Sequence, residues 1–158
     1  MDHPSPGNEN QLSHGALHNC FGCGEDNASG LHLRFFVSDE GRVLCRLRLA
    51  DRFQGPPGHA HGGIIATLLD EAMSKANRRR SILAMTRHLA VDYRRPVRLD
   101  TDLELEGWSE SASDSASGRR HLCRAELRDA EGTVLAAAEG VFIAVRPEML
   151  KAADVAQP

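Results

Sequence analysis

The stretch GPPGHAHGGIIATLLDEAM, residues 55–73, holds the groups best suited to chemistry. His61, Gly62 and Gly63 open an apolar helical pattern, and one carboxylate, Asp70, stands inside it. The first N–H groups of a helix lack an internal partner and carry partial positive charge. At Gly62 or Gly63 such an amide suits an anion, or a carbonyl oxygen that is gaining charge. Glycine there also lets another molecule approach the backbone. Asp70, flanked by small residues, can stand in a cleft that another surface lines. It lies about two turns further on, roughly 10 Å of rise, too far to serve the same carbonyl from one helix. A second copy of the chain, its helix antiparallel and alongside, would bring the two together. The plainer alternative is a boundary carboxylate hydrogen-bonded to Thr67 or Ser74, small neighbours one turn away.

Positioning these groups requires a helix of about 18 residues. Ile64, Ile65, Leu68, Leu69, Ala72, Met73 and Ala76 fall within one half of it and form the core stripe. Asp70 projects at the border of that stripe. Glu71 and Lys75 lie outside it, four residues apart, and read as an exposed ion pair. Before the helix, LHLRFFV (31–37) and RVLCRLRL (42–49) alternate around DEG (39–41) as a hairpin. After it, RHLAVDYRRPV, TDLELEGW, HLCRAELRD and TVLAAAEGVFIAV read as further strands. The last is apolar on both faces up to Glu139, as a central strand is, and Gly140 inside it suggests a bend or bulge. About six strands and one helix define an α+β layer, the sheet curving to bury the helix.

A length of 158 residues fits one domain, placed at 19–148. The polar segment 1–18, the tail 149–158 and the Ser-rich tip 109–118 are expected to be flexible. A net charge of −3 and few aromatic residues argue against nucleic-acid binding. The N-terminal residues lack the apolar core of a signal peptide, and no run approaches a membrane span. The cytoplasm, with free thiols, is the expected compartment. Cys20 and Cys23 form a C-x-x-C, and Cys45, Cys123, His59 and His61 could extend it to a zinc site. No second C-x-x-C exists, and Cys45 and Cys123 fall on strand core positions. The thiols therefore read as structural, and no metal is expected.

The motif HGGIIATLLDEAM, with Asp70 nine residues after His61, resembles the hotdog-fold acyl-CoA thioesterases. The branch is that of phenylacetyl-CoA thioesterase and the mammalian thioesterase-superfamily acyl-CoA hydrolases. CFGCGEDNASGLHLRF (20–35), FQGPPGHAHGG (53–63) and VDYRRPV (91–97) are similar to the same branch. The resemblance implies an antiparallel sheet wrapped around one long central helix. It implies edge-to-edge pairing into a homodimer, often a dimer of dimers, with the active site between subunits. The helix-start amide at Gly62 or Gly63 would hold the thioester oxygen, His61 would support that loop, and Asp70 of the partner would be base or nucleophile. In the phenylacetyl branch an Asn often stands six residues before the HGG histidine. Gly55 stands there in this chain, and Gln54 beside it offers the same carboxamide. Asp92 and Arg94 would line the ligand. Arg95, Thr67 and Ser74 are further candidate substrate contacts, and Phe53, Ile65, Leu69 and Met73 are candidate pocket walls. Arg78, Arg79 and Arg80 either meet CoA phosphates or complement the helix dipole. CoA is part of the substrate, so no separate cofactor is expected. Two rival functions remain: a hotdog hydratase or dehydratase, disfavoured by the lack of a helix histidine beyond His61, and a non-catalytic acyl-CoA-binding protein.

Overall fold

The computed structural model describes residues 11–12, 18–110 and 118–150. The segments expected to be flexible fall almost wholly outside these residues. Gln11 and Leu12 lie against the first strand: Leu12 N–H donates to Phe35 C=O at 2.9 Å.

The elements run β1 (Phe36–Val37), β2 (Val43–Leu47), α1 (Gly62–Arg79), β3 (Ala84–Tyr93), β4 (Leu103–Ser109), β5 (Arg120–Asp129) and β6 (Val134–Ala144). Short 3-10 turns stand at Asp51–Phe53 and Pro147–Leu150. One six-stranded antiparallel sheet has the order β1-β2-β4-β5-β6-β3. Helix α1 lies across it, chiefly over β4 and β5. This is the expected α+β arrangement, a sheet wrapped around one central helix. Leu68, Leu69, Ala72 and Met73 of α1 are fully buried against Phe35, Leu105, Leu127 and Phe142 of the sheet side. Removing that apolar area from water is the main force holding the layers together. The helix comes so close that a side chain at Gly107 of β4 would meet Ala72 C=O at 2.5 Å.

Four sequence expectations need correction. First, β1 is far shorter than the alternating run 31–37. His32 takes a left-handed backbone (φ 54°), which breaks the extended chain. Leu31 and Leu33 give their N–H groups to Phe21 and Gly22 instead of to β2. Second, Gly140 marks no bulge; it pairs in register with Leu89 and Cys123. A Cβ there would press on Phe142 and Met73, so glycine makes room for core side chains. The irregularities lie elsewhere: in β6 at Leu135, skipped between the partners of Leu127 and Arg128, and in β3 between Thr86 and His88, where Arg87 is the extra residue. Third, Glu71 and Lys75 are not an exposed pair. They form a covered ion pair at 3.6 Å, with side chains only 14% and 3% exposed. The loop carrying Cys20, Gly22 and Cys23 lies against that helix flank, a contact that helical periodicity cannot register. Fourth, Phe53, Ile65, Leu69 and Met73 belong to the closed hydrophobic core rather than to the walls of an open pocket.

Candidate active site

The start of α1 is built by its own loop. His61 is the N-cap, and its Nδ1 accepts the Gly63 N–H at 2.9 Å. A ring nitrogen that accepts carries no proton, so the neutral ring holds its hydrogen on Nε2. The cap occupies the Gly63 amide. Gly62 N–H has no partner among the described residues. Gln54 Oε1 accepts the Gly58 N–H at 2.8 Å and closes the QGPPG turn. Ala60 N–H reaches Val97 C=O, and His61 N–H reaches Phe53 C=O, so the loop is pinned on both sides. Tyr93, at the end of β3, donates its hydroxyl to Gly62 C=O at 2.9 Å.

Asp70 stands further along the helix, half-buried. Its Oδ1 accepts the Thr86 hydroxyl at 2.7 Å. Neither Thr67 nor Ser74 holds it; Thr67 donates back to Gly63 C=O at 2.9 Å. Burial pushes the Asp70 carboxyl above its ordinary pKa of 3.8. The Thr86 hydrogen bond draws it partway back, and the neighbouring Glu71 charge adds to the rise. A carboxylate with one neutral donor and a partly dry setting keeps its basicity, as proton abstraction requires.

The two groups do not meet within one chain; each is tied instead to β3. Thr86, near the start of that strand, holds Asp70, and Tyr93, at its end, holds Gly62. Strict alternation puts residues 86 and 93 on opposite faces. The extra residue Arg87 reverses the alternation, so both face the helix. Along its other side β3 has no strand partner among the described residues. Met85 and Tyr93 on it are 54% and 52% exposed.

The remaining candidates sit apart from these two groups. Arg94 Nε donates to Asp92 Oδ2 at 2.9 Å on the exposed end of β3. Arg94 and Arg95 both give their backbone N–H to Leu135 C=O. Ser74 is half-buried one turn beyond Asp70, and Arg80 donates to Ser109 Oγ at 2.8 Å. Cys45 and Cys123 are buried core thiols, and His59 bonds to Pro57 C=O. Sequence reading missed Thr86 and the role of Tyr93. Counting back from Leu89 in steps of two lands on Arg87, and nothing in the chain announces the bulge.

The family model of the thioesterase superfamily matches residues 57–136, from the turn before the helix to the first residues of β6, and the chain belongs to that superfamily. The acyl-coenzyme A thioesterase THEM4 of Bos taurus is 30% identical over 125 residues, 78% of this chain and 50% of the relative. The acyl-coenzyme A thioesterase THEM5 of Homo sapiens is 27% identical over 72% of this chain and 45% of its own length. The chain thus spans about half the length of the curated relatives it matches. A solved thioesterase superfamily protein is 32% identical with a TM-score of 0.74, over 80% of this chain and 60% of that one. The E. coli PaaI protein from the phenylacetic acid degradation operon shares the fold alone: 16% identity and a TM-score of 0.65, over 73% of this chain and 81% of PaaI. The fold is the hotdog fold. No helix is long and apolar enough to cross a membrane.

Proposed function

We propose that the chain hydrolyses acyl-CoA thioesters to free acid and CoA at two equivalent sites, each completed by a second copy. The observation that carries this is the anchoring of both half-sites on β3, whose outer edge has no strand partner among the described residues. Antiparallel pairing of β3 with its copy about a two-fold axis at Ala90 sets Leu89 opposite Val91 and His88 opposite Asp92. Across the bulge it sets Thr86 opposite Tyr93 of the partner subunit. Paired strands lie about 5 Å apart, and residues directly opposite share a face. Asp70 of one copy then confronts the Gly62 amide of the other. A long exposed strand edge is also a liability that pairing removes.

In the reaction the Gly62 N–H receives the thioester oxygen as it becomes an oxyanion, aided by the positive end of the helix. His61 holds the Gly63 amide and so fixes the angle at which Gly62 presents its own. Asp70 takes a proton from water or attacks the carbonyl, and the thiolate leaves. Thr86 orients the carboxylate. Asp92, Arg94 and Arg95 at the exposed end of β3 are offered to the CoA portion. The free cysteines fit a reducing compartment such as the cytoplasm. Thiol release from a panel of acyl-CoA chain lengths tests the reading. Wild-type protein should release thiol from at least one, and Asp70→Asn should be slower by at least ~100-fold with its circular dichroism unchanged. Acyl-CoA binding without thiol release, or an Asp70→Asn protein as fast as wild type, would overturn it.

A further inference from the structure

On the opposite flank of α1 lies a second cluster, unused by this chemistry. The ligand atoms of Cys20, Cys23 and Glu71 all fall within 4.8 Å of one another. We propose that Cys20, Cys23 and Glu71 hold a zinc-class divalent cation that staples the N-terminal loop to the helix. Two sulfurs and a carboxylate oxygen are a borderline-soft donor set, the kind that selects zinc among common divalent ions. Tetrahedral bonds of about 2.3 Å to sulfur and 2.0 Å to oxygen place such donors about 3–4 Å apart. Closing the cluster therefore needs a shift of about 1 Å or less.

Backbone hydrogen bonds shape the turn that aims the two sulfurs. Gly24 N–H donates to Cys20 C=O at 2.8 Å and Asp26 N–H to His18 C=O at 2.9 Å. Leu31 and Leu33 clamp Phe21 and Gly22 from the far side. Gly22 rests directly on the helix carboxylate: a Cβ there would sit 2.5 Å from Glu71 Oε2 and push that carboxylate from its place. The carboxylate divides its two oxygens. Oε1 faces Lys75 Nζ at 3.6 Å, and Oε2 faces Cys20 Sγ at 4.0 Å. Lys75 thus orients the carboxylate and leaves Oε2 to the cation, as partners of metal ligands commonly do. Cys20 is half-exposed and Cys23 buried, so entry is from the Cys20 side, where water can fill the fourth position.

Charge closes as well. Binding releases the two thiol protons to solvent. Two thiolates, one carboxylate and a divalent ion sum to −1, which the Lys75 ammonium offsets. The sequence argued against a metal because a second C-x-x-C is missing. The third ligand comes instead from the helix, on a flank that reads as solvent-exposed.

The test uses the full chain purified without chelator or added metal. Elemental analysis should find about one zinc per chain. Cobalt(II) added to the stripped, reduced protein should give the intense visible bands of a tetrahedral thiolate site. Cys23→Ser should abolish both, and Cys45→Ser should leave both. Lys75→Met should weaken zinc affinity about 10–100-fold. A reduced wild-type protein that contains no zinc and gives no thiolate–cobalt bands overturns the proposal. So does a cobalt spectrum unchanged in Cys23→Ser. The cobalt readout on wild type requires no variant to fold, and neither readout involves thioester hydrolysis.

Discussion

Asp70 and Glu71 are neighbours in the chain, carry the same functional group and live in opposite settings. Asp70 faces β3, where its partner is a neutral hydroxyl and burial raises its pKa. Glu71 faces the N-terminal loop, where a buried ammonium and two thiols surround it. One residue of helix rotation, about 100°, separates the two. The first setting leaves a carboxylate that still gains by taking a proton. The second neutralises its carboxylate and builds it into the scaffold. Surroundings, not residue type, divide the work.

The largest contrast comes from neutralising the first carboxylate. Asp70→Asn should cut thiol release about 10²–10⁴-fold. It should also stabilise the fold at neutral pH. A raised carboxyl pKa means that the folded state favours the protonated form. The stabilisation it gives is complete below the ordinary value of 3.8 and is lost as pH climbs through the raised value. At neutral pH the buried charge is a cost that asparagine removes. Urea midpoints at pH 7 and pH 3 measure this: the variant should lead at the first and lose its advantage at the second. Equal midpoints at both pH values would mean that the Asp70 site is as wet as the surface.

Lys75→Ala carries the opposite signature. It strands the Glu71 charge on a covered flank, at a cost of about 3 kcal/mol in urea unfolding. Arg48→Ala breaks a shorter pair, Arg48 to Asp102 at 2.6 Å, yet both side chains are about half exposed. Its urea midpoint should match wild type, because water and salt screen such pairs. If both substitutions cost the same, the Glu71 flank is solvated and the contrast with Asp70 disappears.

A smaller effect sharpens the Asp70 side alone. Thr86→Val removes the one hydrogen bond that lowers the Asp70 pKa. The acid limb of kcat/KM, which reports the free enzyme's base, should move to higher pH. A limb that stays in place would separate Thr86 from the proposed base.

Much of this architecture can be read from the chain. The helix spans 18 residues, as its apolar stripe implies, and Asp70 lies at the stripe's edge. The hairpin at residues 39–41 and the strands after the helix follow period-two alternation and glycine turns. What escapes sequence reading depends on distant contacts. The bulge at Arg87 reverses the alternation of β3, and that reversal places Thr86 under Asp70. Lys75 and Glu71 look solvent-facing because the residues that cover them lie some fifty positions earlier. The short β1 results from one left-handed residue, His32, whose backbone choice serves the cysteine loop. Local pattern specifies elements; contacts between remote segments specify the environments of the side chains that do chemistry.

The most direct test of the shared site mixes two inactive proteins. Gly62→Pro deletes the helix-start N–H at little structural cost. Proline is favoured at the first helical position, and His61 before it already holds the extended backbone (ψ 137°) that proline demands. Alone, Gly62→Pro should lose about 10²–10³-fold in rate. Co-refolded in equal amounts with Asp70→Asn, it should form mixed dimers that each hold one intact Asp70 facing one intact Gly62. The mixture should recover about a quarter of the wild-type rate, since half the dimers are mixed and one of their two sites is whole. A mixture no more active than its two components would contradict a site built across two subunits.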